Sequence, residues 1–367
     1  MLTKQGIPKI IFSILSVVCF LILYGFLILY SASSGLENNW LLKQLIISSS
    51  FIAVGGLIIF IDPKVFYKIA YPFFIINLLL LVIVYKFGYS AMGATRWINF
   101  FGMKVQPSEL CKISIVLFLA RYFHDLKIQH RLGIRHIIIP TIICFIPISF
   151  ILIQPDLGTA IISALLTVSI IFVVGLDIKY FILSLLATIL AIPILWQNLH
   201  NYQRQRILTF LNPEIDLLGA GYNIHQSKIA IGSGGIFGKG LIKGSQSHLS
   251  FLPEFHTDFA FALLSEELGF LGVVILIGLY LSLIILYFIV AFNSSNVFSK
   301  ILVLGIATMI FLHCFINMAM VMGIMPVVGV PLPFISYGGT MTGVLLISTA
   351  LVINIAINSS QKFYRND

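Results

Sequence analysis

The sequence predicts an all-α polytopic membrane protein of about ten transmembrane helices, with one large outer loop between the seventh and the eighth. Three observations carry this fold class. Hydrophobic residues make up 59% of the 367 and charged residues only 10%, against roughly 25% charged in a soluble domain. The apolar residues fall in continuous runs of about 18 or more, each long enough to cross the hydrocarbon core as a helix; a transmembrane β-barrel would show short alternating segments instead. The net charge of +9 is not massed as in a nucleic-acid binder but is placed between the runs, where it reads as orientation information.

The runs occupy roughly 10–31, 42–61, 69–86, 108–124, 135–153, 156–174, 179–197, 258–291, 299–321 and 336–357, with boundaries good to a few residues. The first follows Lys4 and Lys9 and is too long for the apolar core of a signal peptide, so it reads as a retained helix with a cytoplasmic N-terminus. Alternation then puts Lys64 and Lys68, the Arg121–Arg135 loop, Lys179, Lys300 and the tail inside, while the short loops at 154–156 and 322–335 carry no Lys or Arg. This is the expected bias. The eighth run is long enough to begin as a helix outside the hydrocarbon. The whole chain, 1–367, reads as one integral-membrane domain containing the outer loop 198–257. The four cysteines, Cys19, Cys111, Cys144 and Cys314, lie singly in apolar runs and suggest neither a disulfide framework nor a metal site.

Two outward-facing regions hold the polar chemistry. The first, 87–107, contains Arg96-Trp97 and leads through Gln106-Pro107-Ser108-Glu109 to Lys112. Trp97 is at minimum an interface anchor, and Lys112, one turn into a helix, is at minimum a snorkelling side chain. Asp156, in the turn Gln154-Pro155-Asp156-Leu157-Gly158-Thr159, reads as a helix cap. The second region, 198–257, carries Arg204, Arg206, Lys228, Lys239 and Lys243 around a glycine-rich stretch, 232–240. That stretch lacks the spacing of a Walker loop or a dinucleotide fingerprint. It reads either as a chain-turning loop or as a set of backbone amides able to approach an anion.

The outer loop ends in Phe251–Gly272, where Glu254, His256, Asp258, Glu266 and Glu267 crowd into the start of an apolar run. Asp258 sits where the loop enters the membrane. It is either a helix cap, stabilised by the macrodipole, or a carboxylate kept there for use. The segment 325–339 holds three prolines and three glycines, cannot form a regular helix, and is expected to wall an outward cavity facing Asp258. No nucleotide-binding domain, HExxH motif or nucleophile elbow is present.

Together, Gly93-Ala94-Thr95-Arg96-Trp97-Ile98, Gln106-Pro107-Ser108-Glu109, Gln154–Thr159, Gln226–Gly235, Leu252-Pro253-Glu254-Phe255-His256-Thr257-Asp258-Phe259 and Pro331–Gly339 resemble the SEDS family (shape, elongation, division, sporulation) over essentially the whole chain. The likeness is greatest to its rod-elongation branch. One departure is Phe255, where relatives often carry a polar or basic residue.

The resemblance implies a peptidoglycan glycosyltransferase of the bacterial inner membrane, with its active site on the outer face. Such an enzyme polymerises lipid II beside a class B penicillin-binding protein and other membrane proteins of the elongation complex. It also implies that Asp258 is the catalytic base and that Trp97 is the family's outer-loop tryptophan. Arg96, Glu109, Lys112, Arg204, Arg206, Lys228, Lys239 and His256 complete the expected substrate-binding set. One carboxylate suffices to take the acceptor proton, because a pyrophosphate leaves without protonation. No cofactor or resident metal is expected; a divalent cation riding on the pyrophosphate fits the chemistry. The alternative from another class is a lipid II flippase, with Glu109, Glu266 and Glu267 as a proton relay.

Overall fold

In the computed structural model the chain is described for residues 6–34, 39–91, 94–100, 103–126, 134–175, 201–212, 216, 219–248, 251–252 and 254–361, and for scattered positions in 179–197. The elements run α1 (Gly6–Ser33), α2 (Trp40–Ile59), α3 (Pro63–Phe87), β1 (Tyr89–Ala91), β2 (Ala94–Phe100), β3 (Met103–Val105), α4 (Pro107–Asp125), α5 (Ile134–Ile153), α6 (Leu157–Gly175), α7 (Asn201–Leu211), α8 (Ala220–Ser233), α9 (Ser245–His248), α10 (Ala260–Asn293), α11 (Val297–Val321) and α12 (Gly339–Ile357). Among the described residues, eight helices are long and apolar enough to cross a membrane: α1, α2, α3, α5, α6, α10, α11 and α12. These match eight of the expected runs. The run at 179–197 and the loop centred on 127–133 lie mostly outside the described residues.

The expected run at 108–124 is α4. It carries Glu109, Lys112, Arg121 and Asp125 and is buried on nearly every face between Pro107 and Ala120. A helix so polar is tolerated at membrane depth only inside a bundle. It packs on α3, α6 and α11. Prolines inside α3 (Pro72) and α5 (Pro140, Pro147) are accommodated because neighbouring helices cover the freed backbone groups.

At one end of α4, Arg121 lies over the rings of Tyr67 and Tyr71 at 4.7 and 4.2 Å. It also donates to the carbonyls of Tyr67 and Lys68. Tyr67 in turn donates to Asp125 at 2.5 Å. Nearby, Asn354 donates to the carbonyls of Ile58, Ile59 and Ile61, ending α2. The 19 residues of α4 span about 28 Å at 1.5 Å per residue. The strands β1, β2 and β3 and the loops at 154–156, 254–259 and 322–338 gather at its other end. There the chain makes a feature the sequence reading did not anticipate: β2 pairs antiparallel with β1 and β3. Strands this short, inside one loop, carry too little alternation to be read.

Candidate active site

The turn 254–259 is built on Glu254, whose carbonyl accepts from Phe259 N at 3.1 Å and whose carboxylate accepts from Thr257 Oγ1 at 2.8 Å. Phe255, Phe259 and Phe261 are buried and pin the turn to the bundle. The N-cap of α10 is Phe259, with no side-chain cap bond, so Asp258 is not the helix cap. Its backbone is held from α11 instead. Asn317 Nδ2 donates to Asp258 O at 2.9 Å and to Val330 O at 2.6 Å, joining the turn to the proline-rich segment. That segment does wall the site. Gly329 has φ +70, and a Cβ there would stand 3.2 Å from Asp258 Oδ2. Tyr337 N donates to His256 O at 2.8 Å, and the His256 ring stacks on Trp40 at 4.1 Å and 13°. Phe255 meets Trp40 edge-on at 5.9 Å, which gives the departure from the family pattern at that position an apolar use.

Burial pushes the Asp258 carboxyl up from 3.8 to about 7. The charges of Glu254 and Asp156 add to the rise, while the guanidiniums of Arg206 and Arg96 oppose it. Burial outweighs the two guanidiniums. Burial also holds His256 below its ordinary value, against the charge of Glu254.

Arg96 donates to the carbonyls of Gln154 and Pro155 and lies 3.7 Å from Asp156 Oδ1. Asp156 also accepts from Gln106 Nε2 at 2.8 Å, Ser108 Oγ at 3.2 Å and Thr159 N at 3.4 Å. It does cap α6, as the sequence suggests, but it also ties β2, α4 and α6 together beside Asp258. Arg204 donates to the carbonyls of Trp196 and Gln197 at 3.1 and 2.6 Å, while Arg206, on the same α7, acts in the field of Asp258. Lys228 is exposed, its stem lying against Gly323. Trp97 is half-buried on β2, in register with Tyr89.

Three expectations need correction. Lys112 does not snorkel outward: it is 1% exposed and its Nζ lies 2.7 Å from both Glu109 Oε2 and His313 Nε2. An ammonium at that depth needs partners more than it needs water. Lys239 is not presented to a ligand, because its Nζ is 2.6 Å from Glu266 Oε1 and 2.9 Å from Ser245 Oγ. The amides of the glycine-rich stretch meet backbone carbonyls; it is the residues after the stretch whose amides approach anions, and these anions belong to the chain. Ile242 N donates to Glu267, and Ser245 N and Gln246 N donate to Glu266. Glu266 and Glu267 are consumed there and are not set out as a relay.

Trp40, Asp156 and Asn317 belong to the site and were not anticipated in it. Asp156 was read only as a cap, and Asn317, an amide in the middle of an apolar run, also left a signal. Among the described residues no group of three His, Cys, Asp or Glu side chains is placed to hold a metal ion.

A family model described as cell cycle protein, FtsW/RodA/SpoVE, matches residues 11–361. The chain is 41% identical over 340 residues to the peptidoglycan glycosyltransferase MrdB of Escherichia coli K12, covering 91% of this chain and 90% of that protein. It is 35% identical over 344 residues to the probable peptidoglycan glycosyltransferase FtsW of Trichlorobacter lovleyi, covering 91% and 89%. A solved structure described as "Structural coordination of polymerization and crosslinking by a peptidoglycan synthase complex" superposes with a TM-score of 0.84 at 29% identity, over 96% of this chain and 98% of that one. The crystal structure of the rod shape determining protein RodA from Thermus thermophilus does so with a TM-score of 0.72 at 26% identity, over 95% and 97%.

Proposed function

The chain belongs to the FtsW/RodA/SpoVE family of cell cycle proteins and is a multi-pass peptidoglycan glycosyltransferase, and on that premise we propose that it polymerises lipid II with Asp258 as general base. The observation that supports this most is the setting of one carboxylate. Asp258 is pushed to about 7, with Arg206 and Arg96 in its field and Gly329 leaving space against Oδ2. A base titrating near the working pH combines the ionised state with enough basicity to take a hydroxyl proton.

In this reaction the acceptor sugar's hydroxyl gives its proton to Asp258 as its oxygen bonds to C1 of the donor sugar. The bond from C1 to the pyrophosphate oxygen breaks, and that electron pair leaves with the lipid pyrophosphate. Arg206 and Arg96, with Lys228 and Arg204 at the rim, compensate the charge that develops there. Trp97 and His256 offer aromatic faces to the sugars. The site end of the bundle faces out of the cytoplasmic membrane, and a class B penicillin-binding protein crosslinks the product.

One observation favours lipid transport instead: Glu109, Lys112 and His313 form a buried charged cluster in the bundle. The test separates the two readings. Purified chain given lipid II in detergent, with and without its penicillin-binding partner, is expected to yield glycan strands. Absence of polymer in both cases, together with movement of lipid II across a proteoliposome bilayer, would replace synthesis by transport.

A further inference from the structure

The apolar run after Asp258 is not one helix but two, broken at Gly269, which has φ 64 and ψ −163. In an unbroken helix, Phe270 N and Leu271 N would bond the carbonyls of Glu266 and Glu267. Here they donate to Gly235 O at 2.9 Å and Ile236 O at 3.1 Å, while the freed carbonyls of Glu266 and Glu267 accept from Lys239 N and Gly240 N, each at 3.0 Å. The loop after α8 is thus inserted into the break as a substitute turn. Glycine is required for it: a Cβ on Gly234 would strike Ser265 O, and one on Gly238 would strike Glu267 O.

The two glutamates at the break face this loop with their side chains as well, and both are 0% exposed. Glu266 Oε1 accepts from Lys239 Nζ at 2.6 Å, Ser245 N at 2.8 Å and Gln246 N at 3.2 Å. Glu267 Oε1 accepts from Ile242 N at 3.0 Å and from Ser31 Oγ, on α1, at 2.6 Å. Two buried carboxylates so furnished with donors fix one arrangement of the backbone around them.

We propose that Glu266 and Glu267 are positioning residues for the transfer reaction, a clasp that holds the short helical segment between Ala260 and Gly269, and with it the preceding turn that carries Asp258, against rotation about Gly269. Asp258 lies about two helical turns ahead of Glu266. Asn317 fixes the near end of that segment, and the clasp fixes the far end to α1 and to the loop. Gly269 is the one point in α10 with non-helical φ and ψ and so the joint about which the segment would turn without the clasp, and a shift of about 1 Å at the base costs on the order of a hundredfold in rate.

The inference rests on Asp258 being the base, and its test keeps the two apart. Glu266→Gln and Glu267→Gln, singly and together, are assayed with Asp258→Asn in parallel for lipid II polymerisation across pH. The clasp variants are expected to lose about 10- to 100-fold in kcat with KM for lipid II within about threefold of wild type. Their acid limb should also move, because Asp258, with Glu254 on its own turn, shifts relative to Arg206 on α7, Arg96 on β2 and Asp156 before α6 while these three keep their places. A loss of fold alone would lower yield without moving that limb. Should the double variant fail to fold, Ser31→Ala, which removes one donor to Glu267, is expected to shift kcat and the limb in the same direction by less. Wild-type kcat and an unmoved limb in the folded clasp variants, or in Ser31→Ala where those do not fold, would overturn the clasp. An active Asp258→Asn would instead overturn the base on which it rests.

Discussion

Asp258→Asn is expected to lower the rate of lipid II polymerisation by about 10²–10⁴-fold, the usual worth of a positioned base, while leaving lipid II affinity and partner binding in place. Asparagine matches the carboxylate in size, and Asn317 holds residue 258 by its backbone, so the turn survives the change. The same variant makes a second, opposite prediction for stability. The folded-state value of about 7 lies above the ordinary 3.8, so the folded protein binds the proton more tightly than the unfolded chain. Stability associated with this group is therefore present at low pH and lost as pH rises through about 7. Above that pH the wild type holds a desolvated charge and the variant does not. The thermal midpoint of Asp258→Asn is then expected to exceed that of wild type at pH 8, with the gap opening as pH rises from about 4 to 7. A protein that loses activity while gaining stability carries a site tuned for chemistry rather than for folding. Near-wild-type glycan synthesis by Asp258→Asn would move the assignment to Glu254, the nearest carboxylate on the same turn.

Arg206→Gln is expected to have the next largest effect. A charge-assisted hydrogen bond is worth about 1.5–3 kcal/mol, so losing one to the pyrophosphate should cost about 10- to 100-fold in kcat/KM. Arg96 holds the Gln154–Asp156 turn and faces the buried Asp156, so its removal would strand a carboxylate as well as weaken substrate binding. Arg206 also lowers the Asp258 value. Its loss should therefore move the acid limb of the rate profile to higher pH.

The membrane helices were legible because length and apolarity report them directly: α1, α6, α10 and α11 lie within a few residues of the expected runs. The position of Asp258 at the end of the outer loop was legible for the same reason. What surrounds it was not. Its titration depends on burial and on Arg206, Asp156 and Arg96, which approach from three separate parts of the chain. The glycine-rich stretch was left open between a chain-turning loop and an anion site; what its amides meet is the backbone of Glu266 and Glu267, and the clasp around those residues includes a contact between Ser31 and Glu267, positions 236 residues apart. Composition cannot show such a pairing. Lys112 illustrates the same limit: one turn into a helix it has room to snorkel, and only the arrival of His313 from α11 shows why it stays inside.

The pH dependence of kcat/KM for lipid II polymerisation tests the general-base assignment most directly, because kcat/KM reports the free enzyme's essential base. In wild type the rate should fall tenfold per pH unit below an inflection at about 7, and Glu254→Gln, which removes a charge that raises the Asp258 value, should move that inflection down. A rate independent of pH between about 5 and 8, unchanged by Glu254→Gln, would contradict the assignment.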